Sequence, residues 1–167
     1  DLVNKINGEA YTAFLRKANK LLKKHRLITG IHINTKFTHP DDRPVPNYEQ
    51  IPPNIEWEWE RWIKEIADIV HLRDMHFLTQ AHADHFIDKV TRVAKKYNKP
   101  VIYISTNKEV RFSGNQSKVE HEIQKVLNHP RIDGYNLYEA WAYTKMNKDS
   151  KKIVGSPQIA SIIKKYF

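Results

Sequence analysis

Four short runs rich in β-branched and aromatic residues alternate with stretches of helical periodicity, and this alternation limits the possible folds more than any other feature. The runs are residues 28–34 (Ile-Thr-Gly-Ile-His-Ile-Asn), 68–74 (Asp-Ile-Val-His-Leu-Arg-Asp), 100–106 (Pro-Val-Ile-Tyr-Ile-Ser-Thr) and 133–139 (Asp-Gly-Tyr-Asn-Leu-Tyr-Glu). Each is too short and too β-branched for a helix. Between them lie helical stripes: Trp59, Trp62, Ile63 and Ile66; then Phe86, Ile87, Val90, Val93, Ala94 and Tyr97; then Val119, Ile123, Val126 and Leu127, opened by Ser117 and Glu120 at capping-box spacing. A leading helix over residues 9–25 carries Tyr11, Phe14, Leu15, Ala18, Leu21 and Leu22. A last helix begins at Ser156-Pro157 with the stripe Ile159, Ile162, Ile163 and Phe167. Strands that alternate with helices in this way form parallel βαβ units.

Alternate strand residues point to opposite faces. One row reads Ile31, Ile33, Val70, Leu72, Ile102, Ile104, Tyr135 and Leu137, and is expected to face the helices. The other reads Gly30, His32, Asn34, His71, Arg73, Tyr103, Ser105, Asn136 and Tyr138, and is largely polar. A doubly wound sheet has helices on both faces and should be apolar on both. A one-sided arrangement fits a barrel, whose inner upper layer becomes a site. The expectation is therefore an α/β fold: a parallel (βα)4 half of a TIM (βα)8 barrel, strands five to eight, with a leading helix. A self-contained flavodoxin-like sheet is the alternative. The whole chain reads as one barrel segment, the C-terminal half of a larger barrel.

Composition narrows the function classes. The 167 residues, 40% hydrophobic and 11% aromatic, suffice for one packed domain. With no cysteine, disulfides, thiolate metal sites and cysteine nucleophiles are excluded, and either redox compartment remains open, a secreted or periplasmic setting included. No apolar run is long enough to cross a bilayer. The net charge of +9 first suggests nucleic acid, but Lys23-Lys24-His25-Arg26, Lys95-Lys96 and Lys164-Lys165 each close a helical segment, where cations complement the helix dipole. Neither phosphate-binding glycine loop nor Gly-x-Ser-x-Gly elbow occurs, which argues against nucleotide-dependent and serine-hydrolase chemistry. No cofactor is implied.

The rhythm of a Trp-rich helix, Asp68-Ile-Val-His-Leu-Arg-Asp74, Pro100-Val-Ile-Tyr-Ile and Ile132-Asp-Gly-Tyr-Asn-Leu-Tyr-Glu139 resembles the C-terminal half of bacterial family-10-like glycoside hydrolase barrels. The resemblance spans most of the chain through short motifs. It implies a carbohydrate substrate, catalytic carboxylates at strand ends, and one of that pair on an N-terminal half.

Glycoside hydrolysis needs two carboxyl groups flanking the scissile bond. Glu139 is the first candidate, because Tyr138, Trp141 and Tyr143 around it would stack on sugar rings and raise its pKa by excluding water. Asp74 is the second. Strict alternation turns both outward, so each would need a bulge or turn to reach a lumen. The expected substrate-binding set is His32, Asn34, Arg73, His76, Ser105, Tyr138 and Trp141. Arg73 would either hold a carboxylate ligand or pair with Asp74 or Glu139. His76, His82, Asp84 and His85 crowd one loop and helix start, but His-x-x-His alone is a weak metal pattern, and no metal is assigned. The stretch 35–55 holds five of the eight prolines and would wall a subsite. Trp57, Trp59 and Trp62 read as helix-packing residues. Two other readings stay open: a carbohydrate-binding barrel without catalysis, and a half-barrel module. The edge strands of the latter would be covered by an N-terminal half-barrel or by a second copy.

Overall fold

The structure, a computed structural model, describes residues 2–34, 55–73, 80–105, 116–137, 144–146, 153–155, 161 and 164–166. Its elements run α1 (Leu2–Lys24), β1 (Gly30–Asn34), α2 (Trp59–Glu65), β2 (Ile69–Arg73), α3 (Gln80–Lys96), β3 (Val101–Ser105), α4 (Gln116–Leu127) and β4 (Gly134–Leu137). Two short strands follow, β5 (Thr144–Met146) and β6 (Ile153–Gly155), which pair antiparallel as a separate sheet that the sequence reading did not foresee. The four long strands form one all-parallel sheet in the order β1-β2-β3-β4.

That order decides against the flavodoxin-like alternative. A doubly wound sheet reverses its strand order at a switch point. Here each strand lies beside its predecessor, and right-handed crossovers then place every connecting helix on the same face. The core agrees. Trp59, Trp62, Ile63 and Ile66 at α2, Phe86, Ile87, Val90 and Ala94 of α3, and Val126 of α4 form one cluster with Ile33, Val70, Leu72, Val101 and Tyr103.

The register corrects the row expected for β3. Val70 pairs with Val101, Leu72 with Tyr103, and Tyr103 with Tyr135. In a parallel pair, residues in register share a face, so Val101, Tyr103 and Ser105 belong to the helix-facing row. Ile102 and Ile104 belong to the open one. Ring contacts agree: Tyr103 stacks on Tyr135 at 6.1 Å, and the Tyr135 hydroxyl donates to Glu122 Oε1 on α4 (2.8 Å). Sorting by polarity failed because Val101, Ile102, Tyr103 and Ile104 are apolar or aromatic on both parities. Hydrophobicity therefore carried no information about which row faced the helices.

The leading helix also differs from its expected stripe. Gly8 and Thr12 are its buried residues, while Tyr11, Phe14 and Leu21 are exposed. Gly8 sets the rotation, because a Cβ there would lie 2.6 Å from the Glu56 carbonyl oxygen, so only glycine lets the helix approach that backbone. The Trp62 indole N–H donates to Thr12 Oγ1 (2.6 Å), and the Thr12 hydroxyl donates to Glu58 Oε2 (2.6 Å). Tyr11, Trp57 and Trp62 meet edge to face, with centroids 5.2–6.1 Å apart. Arg16 pairs with Glu65 and Lys23 with Asp68. Both α1 and α3 end on a left-handed residue, Arg26 (φ 57°) and Asn98 (φ 54°). Beyond them, the Leu27 and Lys99 amides bond back to Leu22 and Ala94, closing each last turn.

A repeated device ties neighbouring strands at their starts. Asp68 precedes β2, and its Oδ2 accepts the Thr29 amide ahead of β1 (2.8 Å). Asp133 precedes β4, and its Oδ2 accepts the Val101 amide at the start of β3 (2.8 Å). Lys23 and the Thr29 amide together hold the Asp68 carboxyl below its ordinary value. Asp68→Ala and Asp133→Ala are each expected to lower stability by about 1 kcal/mol, a value set by partial solvent exposure. Urea denaturation is the check, and unchanged midpoints in both variants would refute the tie.

Candidate functional site

In a parallel sheet the strand C-termini and the loops after them form the ligand-binding end. The open face leading to that end carries two rows. The lower row is His32, His71, Ile102 and Gly134; the upper is Asn34, Arg73, Ile104 and Asn136. Imidazoles and a guanidinium occupy β1 and β2, and isoleucines occupy β3. None of these residues bears a carboxylate.

Glycine creates the central contact. A Cβ at Gly30 would lie 2.8 Å from His71 Cδ2 and 2.9 Å from Nε2, so its absence lets that ring lie against the β1 backbone. There it stacks on His32, with centroids 4.8 Å apart and planes tilted by 24°. His71 Nδ1 is buried without a hydrogen-bond partner among the described residues. Both imidazoles are held below their ordinary value. Burial is the main cause for each, and His32 also feels the charges of His71 and Arg73. At neutral pH they are therefore uncharged, each offering one N–H donor and one nitrogen acceptor. His32 is exposed and can offer both to a ligand, whereas His71 Nδ1 and the Ile104 side chain are buried.

The expected residues divide three ways. His32 and Arg73 lie on the open face as anticipated. Asn34 ends β1 in register with Arg73, on the same row. Ser105, expected inside, ends β3 in register with Leu137 on the helix-facing row. Asp74, His76, Tyr138, Glu139 and Trp141 lie outside the described residues, in the segments that directly follow β2 and β4, as does most of the proline-rich stretch. His71, which stands in the polar row but not in the expected substrate-binding set, is the addition. A usable signal was that His32 and His71 each stand two residues before a polar strand end, Asn34 and Arg73, so in-register strands must bring them side by side.

The histidine-rich start of α3 behaves differently. Asp84 lies within the helix and accepts a hydrogen bond from Lys125 (3.0 Å), and His85 is exposed. Among the described residues, no three histidine or carboxylate side chains converge as a metal site would require, and no described helix is long and apolar enough to cross a membrane. Trp59 and Trp62 are buried in the core, while Trp57 packs on Tyr11.

No protein-family model matches the chain, and no characterised protein and no solved structure matches it.

Proposed function

We propose that the chain is strands five to eight of a glycoside-hydrolase-like (βα)8 barrel and acts on a polysaccharide at its strand C-termini. The observation that carries this reading is the sequential, all-parallel sheet, whose one row packs on the described helices and whose other row is polar on β1 and β2 and apolar on β3. A barrel lumen is a packed mixture of this kind with its site at the upper rim, and Ile104 of the open face is only 2% exposed. His32, His71, Asn34 and Arg73 would bind sugar hydroxyls or a carboxylate substituent. Glu139 would donate the proton to the leaving oxygen. Asp74, or a carboxylate outside these residues, would serve as its partner.

The test is release of reducing ends from a panel of plant and bacterial polysaccharides. Glu139→Gln should lower the rate on the order of a hundred- to ten-thousand-fold with an unchanged unfolding midpoint. Full activity in that variant would remove Glu139 from the chemistry. A binding role without hydrolysis has one observation in its favour, the lack of any carboxylate on the two described open-face rows. Saturable polysaccharide binding with no reducing-end release in the wild type would select it.

A further inference from the structure

We infer that the outer face of α1 and the free edge of β1 together receive one further strand–helix unit, supplied by polypeptide outside residues 1–167. Its strand would run parallel to β1, and its helix would carry an apolar stripe flanked by acidic residues.

The helix layer overhangs the sheet on this side. α1 packs beside α2 through Tyr11, Thr12 and Arg16, which meet Trp57, Trp62, Glu58 and Glu65. α3 adjoins α2 as well and packs on β2. α1 also leads directly into β1. A right-handed crossover ending in β1 would begin from a parallel strand at β1's other edge, and among the described residues that edge is unpaired. Its own residues carry none of the protections that a strand can supply: residues 30–34 include no proline, no lysine and no other permanent charge.

The outward face of α1 supplies the second half of the argument. Its inner face, with Gly8, Tyr11, Thr12, Leu15 and Arg16, meets α2 and the core, and four further apolar side chains point the other way. Val3, Ile6, Phe14 and Leu21 share this outer face and are 53–62% exposed; Leu27 and Ile28, between α1 and the free strand, are 51% and 69% exposed. Ala10 and Ala13, also exposed, would let a second helix come close. The six larger side chains are all more than half exposed, and clustered exposed apolar side chains of this kind are a common mark of an interaction surface. Lys17 lies between Phe14 and Leu21 on this face, Lys20 and Lys24 border it, and Glu9 is the one acidic residue of α1 against six basic ones. That balance favours an acidic neighbour over a second copy, which would set this cationic helix against itself.

The test compares the 167-residue chain with the same chain extended by the polypeptide its gene encodes ahead of Asp1. In the short chain, Phe14→Glu and Leu21→Glu should leave the urea midpoint unchanged, and the amides of Gly30–Asn34 should exchange with solvent faster than those of β2. In the extended chain, both variants should lower the midpoint sharply, and the β1 amides should become as protected as those of β2. The inference fails if the variants are silent in both chains, if β1 gains no protection, if no coding sequence precedes Asp1, or if the short chain sediments as a dimer that Phe14→Glu splits. The inference rests on the barrel part of the proposed function, and its failure would remove that part; the carbohydrate part is read separately by reducing-end release, so the two failures are distinguishable.

Discussion

Trp62→Ala is expected to be among the most damaging single substitutions outside the strands, lowering stability by about 3–5 kcal/mol. Against the roughly 5–15 kcal/mol that holds a typical domain together, this approaches unfolding. The indole is 3% exposed and belongs to the central cluster. It also meets Tyr11 at 5.5 Å and Trp57 at 5.2 Å, both edge to face. Such pairs add about 0.5–1.5 kcal/mol each beyond area burial. Its N–H is the donor that Thr12 accepts in the buried contact between α1 and α2. Truncation therefore opens a cavity, removes two ring contacts and strips Thr12 of its donor in one step. Trp62→Phe retains most of the packing and loses the hydrogen bond, so about 1–2 kcal/mol is expected for it. Urea denaturation followed by far-ultraviolet circular dichroism checks both. Equal losses in the two variants would mean that the hydrogen bond, and not the packing, dominates.

Acidification is expected to destabilise the protein in two stages. His32, His71 and His129 all sit below the ordinary imidazole value of 6.5. Burial is the leading cause in each case. His129 also feels Arg131 and Lys125, partly offset by Asp84. The unfolded chain takes up protons on these groups at higher pH than the native chain does. Their contribution is thus complete above 6.5 and is lost as the pH falls through the lowered native values. The second stage comes from carboxylates. Burial tends to raise Glu58 and Glu65, but hydrogen bonds and charges from Thr12 and Arg61 in the first case, and from Arg16 and Arg61 in the second, outweigh it and lower both below 4.5. Lys23 and the Thr29 amide lower Asp68 below 3.8, and Lys165 with Tyr166 lowers Glu120 below 4.5. These groups stabilise above those values, and that stability disappears as they protonate. Urea midpoints measured from neutral pH downward should fall gently first and then steeply. The gentle stage should shrink in His32→Gln/His71→Gln. A midpoint that holds or rises as the pH drops below 6.5 contradicts the histidine assignment.

The element order was legible because periodicity is a property of residues close in the chain. Strand cores at Gly30–Asn34, Ile69–Arg73, Val101–Ser105 and Gly134–Leu137 fall inside the runs read from β-branching. The basic residues that close α1 and α3 lie in their last turns. For β1, β2 and β4, one parity was polar enough to identify the helix-facing row. For β3, with apolar or aromatic residues on both parities, it was not. Ser105 and Tyr103 were misplaced for that reason alone.

The candidate site was only half legible. His32 and Arg73 could be placed on the open face from alternation. The partnership of His32 with His71 depends on Gly30, whose missing side chain matters only once β2 lies beside β1. The rotation of α1 was hidden in the same way. Its sequence offers apolar residues on more than one side, and the choice was made by the Glu56 carbonyl, which tolerates only Gly8 beneath it. The sequence alone thus determined which segments become strands and helices and in what order, since those are short-range properties of the chain. Tertiary structure decided which face of each element turns inward, because that rests on backbone approaches between residues such as Gly8 and Glu56 that are far apart in the chain.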